Sequence, residues 1–466
     1  MGVADNYVND IRDLTYGEDL RKPIHDGLEV LLNYEGSERP VVVLTEEEHG
    51  SITDPDPNTF YAVKKNEEPE PPEPPEPIDQ EHYGIKIDKN NSDTSARIEY
   101  LYDSVGFAPA YMDFTNERFE YGSWSNAFFV RNNYPVMLKT DGSEDYRLDP
   151  NDHSKKLDGT ASDVDNLNYD GNAFSCFDCH IWMKFYEDEN YQYIEVSNYK
   201  LDDSFVDHPY HRGDGSVPDK LYYPMYPGYV HNYSKLRSIS GVKASYTYSA
   251  DTEISYARNN GDIWSIESWS YHLWFNVLLM LISKNFNSQA AFGNGNISGG
   301  ASSASFSING SLNTAGQFFG YNTATNSVKT FYCENMWGNR SSRCLGMYNV
   351  GGKYVIKMVP PYVYDEIDVD YQILDYKTIQ SPLVPSYGYL KDLSFNRTYG
   401  ILPKTTGGTD STYVGDYLSS VTSDNRHLLL TGGSCRYGNT CGSWCFDFST
   451  PAISGSWDVG ASLYLE

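Results

Sequence analysis

The chain has 466 residues, and its 64 Asp and Glu against 35 Lys and Arg give a formal net charge of -29. A surface this acidic repels phosphate backbones and anionic lipids, so nucleic-acid binding and membrane-surface binding are disfavoured. The longest apolar run, residues 273–282, is about half of a membrane span, so membrane insertion is not expected. Seven cysteines, an odd number in a long chain, argue against a full disulfide framework.

Residues 1–36 have the pattern of two short amphipathic helices. Tyr7, Ile11 and Leu14 recur at helical spacing, and a similar narrow apolar stripe follows Pro23. Such stripes bury little surface alone, so we expect this segment to pack against a partner chain or a copy of itself, with an independent helical hairpin as the alternative. The polar, acidic opening does not predict a secretory signal peptide, which indicates synthesis in the cytoplasm.

Residues 37–66 predict a small β module, and residues 67–78 predict an acidic linker. In the module, a β-branched run at 41–43 and the sequence FYAV flank a DPDPN turn. The linker contains EEPEPPEPPEP, in which the prolines favour an extended polyproline II spacer and the glutamates repel one another. A disordered linker without a mechanical role is the alternative.

From residue 79 onward the sequence is β-rich, in an overall α+β fold class. Aromatic runs such as RIEYLY and YQYIEVSNYK, separated by Gly, Asn and Asp clusters, predict strands in a β-rich domain over 79–165 and a C-terminal domain over 166–466. One helix is predicted within residues 264–289, where apolar residues on all sides indicate burial against a sheet. The glycine-rich and serine-rich stretch 293–316 predicts a long loop.

No motif in the chain demands catalysis. The sequence CFDCH at residues 176–180 has the C-x-x-C-H spacing of covalent haem attachment, but its flanks alternate like a strand, which favours two ordinary cysteines. His208 and His272 are isolated histidines. The acidic loop 141–152 lacks the EF-hand pattern, although a calcium role there is left open. We assign no catalytic residue, no metal site and no cofactor.

Several stretches between residues 100 and 466 resemble tail proteins of phages of gut bacteria. The most specific are CENMWGNR at 333–340 and the terminal SGSWDVGASL, together with LRSISGVK at 236–243. The opening ADNYVNDIRDLTYGEDL is similar to the start of phage tail-fibre and baseplate proteins. The sequence LTEEEHGSITDPDPNTFYAV resembles a small module that recurs near their bases.

This resemblance implies a C-type-lectin-like fold for residues 166–466, a fold shared by formylglycine-generating enzymes and by the variable proteins of diversity-generating retroelements. In the retroelement proteins, the C-terminal residues form a ligand face whose codons are mutagenised at adenines. Mutagenised asparagine codons give no Lys, Glu, Gln, Met or Trp. The stretch from Ser434 to Asp458 contains none of the first four, and its two tryptophans, Trp444 and Trp457, lie where the resembling family keeps an aromatic residue. The resemblance therefore implies a variable region over residues 432–466.

Three cysteines, Cys435, Cys441 and Cys445, lie in this terminal region. The resemblance to the retroelement proteins implies that Cys435 is one outcome of a diversified codon and that the other two are scaffold variants. Formylglycine-generating enzymes use a C-terminal cysteine pair oxidatively, which is the enzymatic alternative. The steps here are six residues (435 to 441) and four residues (441 to 445), unlike the fixed step of those enzymes.

We therefore expect a phage tail-tip or tail-fibre receptor-binding protein, located on the virion, and not an enzyme. Residues 1–36 would attach to other tail or baseplate proteins, and the C-terminal face would bind a bacterial cell-surface receptor, either protein or glycan, from a homotrimer. The alternatives are a purely structural tail subunit and, less favoured, a formylglycine-generating-type oxidase. The residues expected to face the ligand are Ser434, Cys435, Arg436, Tyr437, Asn439, Asp447, Ser449, Ile453, Gly455 and Asp458.

Overall fold

The structure is a computed structural model that describes residues 41–45, 50–54, 56, 59–64, 80–362, 371–375, 387–422 and 425–466. Helices account for 12% and strands for 36% of the residues, which confirms the prediction of a β-rich chain with few helices. The chain divides into two units, residues 1–78 and residues 79–466.

The N-terminal unit contains a pair of strands, Val41–Thr45 (β1) and Phe60–Lys64 (β2). They run parallel, with Val41 opposite Phe60. Both strands of the predicted β module are therefore confirmed. The helices predicted within residues 1–36 and the linker predicted at 67–78 lie outside the described residues.

The second unit begins with a series of strands. These are His82–Asp88 (β3), Ile98–Tyr102 (β4), Tyr111–Asp113 (β5), Arg118–Glu120 (β6), Asn133–Leu138 (β7), Glu144–Asp149 (β8), Asp152–Lys156 (β9), Asn172–Phe177 (β10), Trp182–Glu187 (β11), Tyr191–Ser197 (β12), Leu221–Pro224 (β13), Tyr229–His231 (β14) and Lys235–Arg237 (β15). Some of them alternate buried and accessible side chains, such as β8 and β11, whereas β10 is buried throughout. The runs RIEYLY and YQYIEVSNYK form β4 and β12, as their alternation of residue types predicts.

Two sheets combine strands from both sides of residue 165. A five-stranded sheet has the order β13-β10-β7-β8-β9, and a four-stranded sheet has the order β11-β12-β3-β4. In the first, Phe174 lies opposite Val136, and in the second Ile194 lies opposite Ile85. The structure therefore does not divide into 79–165 and 166–466 as predicted, because hydrogen-bonded ladders join strands that are far apart in sequence.

The remaining strands belong mainly to one large sheet. They are Trp264–Ile266 (β16), Lys329–Thr330 (β17), Cys333–Glu334 (β18), Ser341–Val350 (β19), Lys353–Ile356 (β20), Gln372–Asp375 (β21), Tyr387–Asn396 (β22), Gly400–Thr406 (β23), Tyr417–Ser419 (β24), His427–Gly432 (β25), Gly442–Asp447 (β26), Val459–Gly460 (β27) and Leu463–Leu465 (β28). A nine-stranded sheet has the order β21-β20-β19-β25-β26-β24-β22-β23, with β27 paired to β19.

The described helices are Phe128–Arg131 (α1), Ala250–Arg258 (α2), Trp269–Ser283 (α3) and Ser288–Phe292 (α4). Every residue of α3 is buried, which explains why its sequence is apolar on all sides. The predicted helix thus forms in the centre of the range 264–289. The first residues of that range form β16 instead, because they pair with β28. None of the described helices is long and apolar enough to cross a membrane.

Helix α3 connects the sheets of this unit. It packs against β19 and β23 of the nine-stranded sheet, and its Trp274 donates from Nε1 to the carbonyl of Ile181 at 3.0 Å. Trp337 and Trp444 belong to the same hydrophobic cluster as Trp274. The predicted loop at 293–316 follows α4 and contains only a single 3-10 turn, Ser303–Ser305.

A buried ion pair joins α2 to β19. Glu253 and Arg343 lie 2.8 Å apart (Oε2 to Nε), with side chains 1% and 0% exposed. The other carboxylate oxygen of Glu253 accepts from the backbone N–H of Ala461 at 2.9 Å. A buried charge needs such partners, because its loss of hydration is costly.

Removing the charge of Glu253 is expected to destabilise the chain strongly. The variant Glu253→Gln leaves the Arg343 guanidinium buried without its counter-ion, which costs about 3–5 kcal/mol. The free energy of unfolding, measured by urea titration and tryptophan fluorescence, is expected to fall by this amount. The control is Asp203→Asn, which removes the exposed carboxylate that lies 2.9 Å from Nζ of Lys200. This change is expected to leave the unfolding midpoint as it is in wild type. Equal midpoints for Glu253→Gln and wild type would contradict the assigned role.

Candidate ligand-binding face

The C-terminal face is formed by two loops that flank β26. One loop, residues 433–441, joins β25 to β26, and the other, residues 448–458, joins β26 to β27. Gly433 has φ 74°, and a Cβ added there would lie 2.5 Å from Sγ of Cys441, so the GGS turn requires glycine. The adjacent sheet is fully buried at this point, which fixes the bases of both loops.

Six of the ten predicted ligand-facing residues are accessible in the structure, and four are buried. The accessible ones are Arg436, Tyr437, Asn439, Ser449, Ile453 and Gly455, and the buried ones are Ser434, Cys435, Asp447 and Asp458. The four buried side chains do not face outward as predicted, because they support the loops from below. Ligand contact by the accessible residues stays a prediction.

Arg436 organises the centre of the face. Its Nε lies 2.9 Å from Oδ2 of Asp458, which also accepts from Oγ of Ser434 at 3.2 Å. The guanidinium lies 4.6 Å from the ring centre of Tyr437 and 5.5 Å from that of Trp457. Asp458 and Ser434 therefore position Arg436 rather than contact a ligand.

One further aromatic contact completes what we call the Arg436 cluster, namely Arg436, Tyr437, Trp457 and Phe306. The rings of Trp457 and Phe306 stack with centres 6.1 Å apart, and Cys435 is buried beside Phe306. Burial raises the pKa of Tyr437 to about 12, so its hydroxyl is neutral at physiological pH. The cluster offers one cation, one hydroxyl and partly accessible aromatic surface, a combination common in protein recognition sites.

The remaining accessible residues differ in their exposure and in how closely they pack against the rest of the chain. Ile453 is 77% exposed, and Asn439 donates from Nδ2 to Oδ2 of Asp410 at 2.9 Å, which brings a neighbouring loop to the face. A Cβ added at Gly455 would lie 1.9 Å from the carbonyl oxygen of Thr247. Gly455 is thus exposed but constrained by packing, so another residue there would displace the loop.

The three terminal cysteines are buried and protonated. Burial raises the pKa of Cys435, Cys441 and Cys445 above the ordinary thiol value. Sγ of Cys441 faces the carbonyl of Ser434 at 3.2 Å. All seven cysteines of the chain lie in the described residues, and each is a free thiol. A nucleophilic cysteine needs an accessible thiolate, which this environment disfavours.

The CFDCH sequence forms no open imidazole site. Cys176 is buried within β10, and the His180 ring stacks between the rings of Trp182 and Tyr210, with centres 4.9 Å and 4.0 Å away. Nε2 of His180 lies 2.9 Å from Oδ2 of Asp207. Both ring faces and Nε2 are therefore occupied by the protein itself.

Glu267, His272 and Cys344 are grouped closely enough for a metal site, with ligand atoms within 4.8 Å of one another. However, Nδ1 of His272 lies 2.9 Å from Glu267, and Nε2 lies 3.1 Å from the carbonyl of Ser443. A carbonyl only accepts, so Nε2 carries a hydrogen and Nδ1 is engaged with Glu267. Neither nitrogen is left for a metal, and the group ties α3 to β26.

A cleft beside the face was not predicted from the sequence. It lies between residues 243–248 and residues 303–304, with Tyr229 as a further wall. The only sequence signal is the alternation of tyrosines in ASYTYS at 244–249. That alternation resembles an ordinary half-buried strand, and the partners of the cleft come from distant parts of the chain.

Comparison with known protein sequences does not assign a function to this face. The chain matches no protein-family model and no curated protein sequence. The function is therefore inferred from the residues on the face, the scaffold beneath them and the resemblance described above.

A buried carboxyl beneath the face is expected to make its stability depend on pH. Oδ2 of Asp416 accepts from the backbone N–H of Trp444 at 2.6 Å, and burial raises the pKa of Asp416 well above 3.8. The folded state therefore binds this proton more tightly than the unfolded state, so the contribution is full below pH 3.8 and is lost as pH rises through the folded pKa.

The variant Asp416→Asn removes this titration and keeps an oxygen for Trp444. Relative to wild type, the variant is expected to gain stability progressively as the pH rises above 3.8, because only the wild type then loses the contribution of the bound proton. The measurement is urea unfolding at several pH values, with Asp262→Asn on an exposed turn as control. A difference between variant and wild type that does not change with pH would show that Asp416 does not titrate as stated.

Proposed function

We propose that this chain is a phage tail-tip or tail-fibre receptor-binding protein that attaches the virion to a bacterial surface ligand. The observation that supports it most is the Arg436 cluster, in which accessible side chains rest on a buried polar scaffold. Loops positioned by a rigid framework are the usual place for recognition residues. The stretches that resemble phage tail proteins point to the same function.

The scaffold suits a surface whose residues vary. Arg436, Tyr437 and Ile453 lie on loop tips, whereas Ser434 and Asp458 are buried beneath them. The backbone hydrogen bonds of the loops do not involve the side chains at the tips, so substitution there changes the chemistry of the surface while the backbone is retained. Arg436 is the exception, because it is the counter-ion of the buried Asp458. We propose that diversification, if a retroelement acts on this gene, is confined to the accessible positions.

We also propose a C-type-lectin-like fold for the C-terminal part. In its support, β28 pairs with β16, so the chain end returns to the strand that directly precedes α3. The helix then packs on a sheet that contains β25 and β26, and a long loop region separates α4 from β17. The pairing of β28 with β16 therefore anchors the terminal residues to the same framework that carries α3.

Attachment of residues 1–36 to the virion and trimeric display remain proposals that rest on the sequence. Several copies on one tail tip would raise the effective concentration of the face near the cell surface, so weak binding per copy would suffice. Among the alternatives, an oxidase is disfavoured because burial raises the pKa of Cys435 and Cys441. A structural subunit would use Ile453 as a packing residue, since this side chain is 77% exposed.

Cell labelling by the full chain tests the proposal. The variant carries Arg436→Ala, Tyr437→Ala and Ile453→Ala together, because these residues are accessible. Since Arg436 is the counter-ion of the buried Asp458, the unfolding midpoint of the variant is measured beside its binding. Wild type is expected to label at least one gut bacterial strain, and the variant is expected to lose this labelling because the recognition surface is removed. Fluorescently tagged protein and flow cytometry give the measurement.

The matched control carries Tyr387→Ala and Ile373→Ala, which are 63% and 59% exposed outside the face. It is expected to label cells as wild type does. Unfolding midpoints of all three proteins establish that the variants are folded. If the triple variant labels cells as strongly as wild type, or if no strain is labelled, the structural-subunit alternative is favoured.

A further inference from the structure

A cleft of about 710 Å³ opens beside the C-terminal face. This volume lies within the range of about 300–1,000 Å³ that is typical of small-molecule sites. Most of its lining residues have aromatic or hydroxyl side chains, namely Tyr229, Ser245, Tyr246, Thr247, Tyr248 and Ser303, and the others are Lys243, Ala244 and Ala304. The lining is thus aromatic and hydroxyl-rich rather than aliphatic.

The cleft is continuous with the Arg436 cluster. The rings of Tyr246 and Phe306 meet edge to face with centres 5.8 Å apart, and Phe306 in turn stacks on Trp457. The backbone N–H of Thr247 donates to the carbonyl of Ser456 at 2.9 Å. A ligand in the cleft therefore has a direct path to the C-terminal face.

The wall of the cleft is held from the protein interior. Arg340 donates to the carbonyl of Ser245 at 2.7 Å, and Arg343 donates to the carbonyl of Tyr248 at 2.9 Å. Between them Thr247 has φ 76°, a strained conformation that is rare for a β-branched residue. Strained backbone that is fixed by buried arginines indicates a preorganised site.

The polar groups of the cleft suit a sugar. The hydroxyls of Tyr229, Tyr246 and Tyr248 make no hydrogen bond to any described residue of the chain, so they are available to ligand hydroxyls. Tyrosine rings offer apolar faces of the size of a sugar ring, and their hydroxyls offer polar edges. A saccharide has the same combination of an apolar face and polar edges.

The charge of the cleft is opposite to that of the chain. No described Asp or Glu lines it, although the chain has a formal net charge of -29. Lys243 is exposed at its edge, and its Nζ donates to the carbonyl of Ala304 at 2.6 Å. A carbonyl does not neutralise an ammonium group, so the edge favours an anionic substituent.

We propose that this cleft binds a saccharide of the bacterial surface, with an acidic sugar residue placed against Lys243. The proposal rests on the receptor-binding function and names the chemistry of its ligand. Tyr246 and Tyr248 stack on the sugar rings, Thr247 and Ser303 bind hydroxyls, and the Arg436 cluster contacts the part of the ligand that leaves the cleft.

The test uses the full chain and a panel of immobilised bacterial oligosaccharides, some neutral and others containing a uronic acid. Wild type is expected to bind uronic-acid oligosaccharides, and Tyr246→Ala is expected to weaken this binding by about tenfold or more because a stacking surface is lost. Lys243→Gln is expected to weaken binding of acidic members alone. Tyr246→Phe keeps the ring and is expected to retain most of the binding, and Tyr387→Ala is the surface control.

The outcomes separate this proposal from the receptor-binding function. If no oligosaccharide is bound, or if Tyr246→Ala binds as wild type does, the saccharide site is overturned. Cell labelling that survives Tyr246→Ala but not the triple variant at Arg436, Tyr437 and Ile453 would likewise overturn the saccharide site and leave the receptor-binding function intact. Oligosaccharide binding that depends on Tyr246 without labelling of any cell supports the site and contradicts the receptor-binding function.

Discussion

The buried pair of Glu253 and Arg343 is the constraint on which the candidate site depends. Arg343 also donates to the carbonyls of Tyr248 and Ser454, at 2.9 Å and 2.7 Å. Glu253 in turn holds the backbone of Ala461. One desolvated pair therefore fixes the cleft wall, the second loop of the face and the strand that follows it. Its loss of hydration is offset only while all of these hydrogen bonds are made, so the three segments are ordered together.

This arrangement separates stability from recognition. The contacts that hold the loops are made by backbone atoms and by buried side chains such as Asp458, and the exposed side chain of Ile453 adds little to them. Arg436 differs, because it neutralises the buried Asp458 at 2.9 Å. Exposed ion pairs and surface side chains contribute little to folding free energy. Changes at exposed positions such as Ile453 therefore alter the surface without altering how the loops are placed. Gly455 is the exception, since its α-carbon packs against Thr247.

Local features of this structure could be predicted from the sequence, and long-range ones could not. Alternation predicted β4 and β12, and the apolar run predicted α3, because these signals come from neighbours in the chain. The strand at Trp264 cannot be predicted from local sequence, because its partner Leu465 lies about two hundred positions away in the chain. The burial of Ser434 and Asp458 also depends on contacts between distant parts of the chain. From the sequence alone, polar residues in a glycine-rich loop are expected to be exposed.

The two proposals divide recognition between a fixed part and a variable part. The cleft wall at residues 243–248 lies outside the region 432–466 for which the resemblance implies diversification, whereas Arg436 and Tyr437 lie inside it. Phe306 and Trp457 connect the two parts through stacked rings. Under both proposals, a sugar in the cleft would contact tyrosines that lie outside the implied variable region, while the neighbouring portion of the receptor would contact residues that lie inside it. Variation at the face would then select among receptors that share one acidic sugar, because the cleft contributes the same binding free energy to each of them.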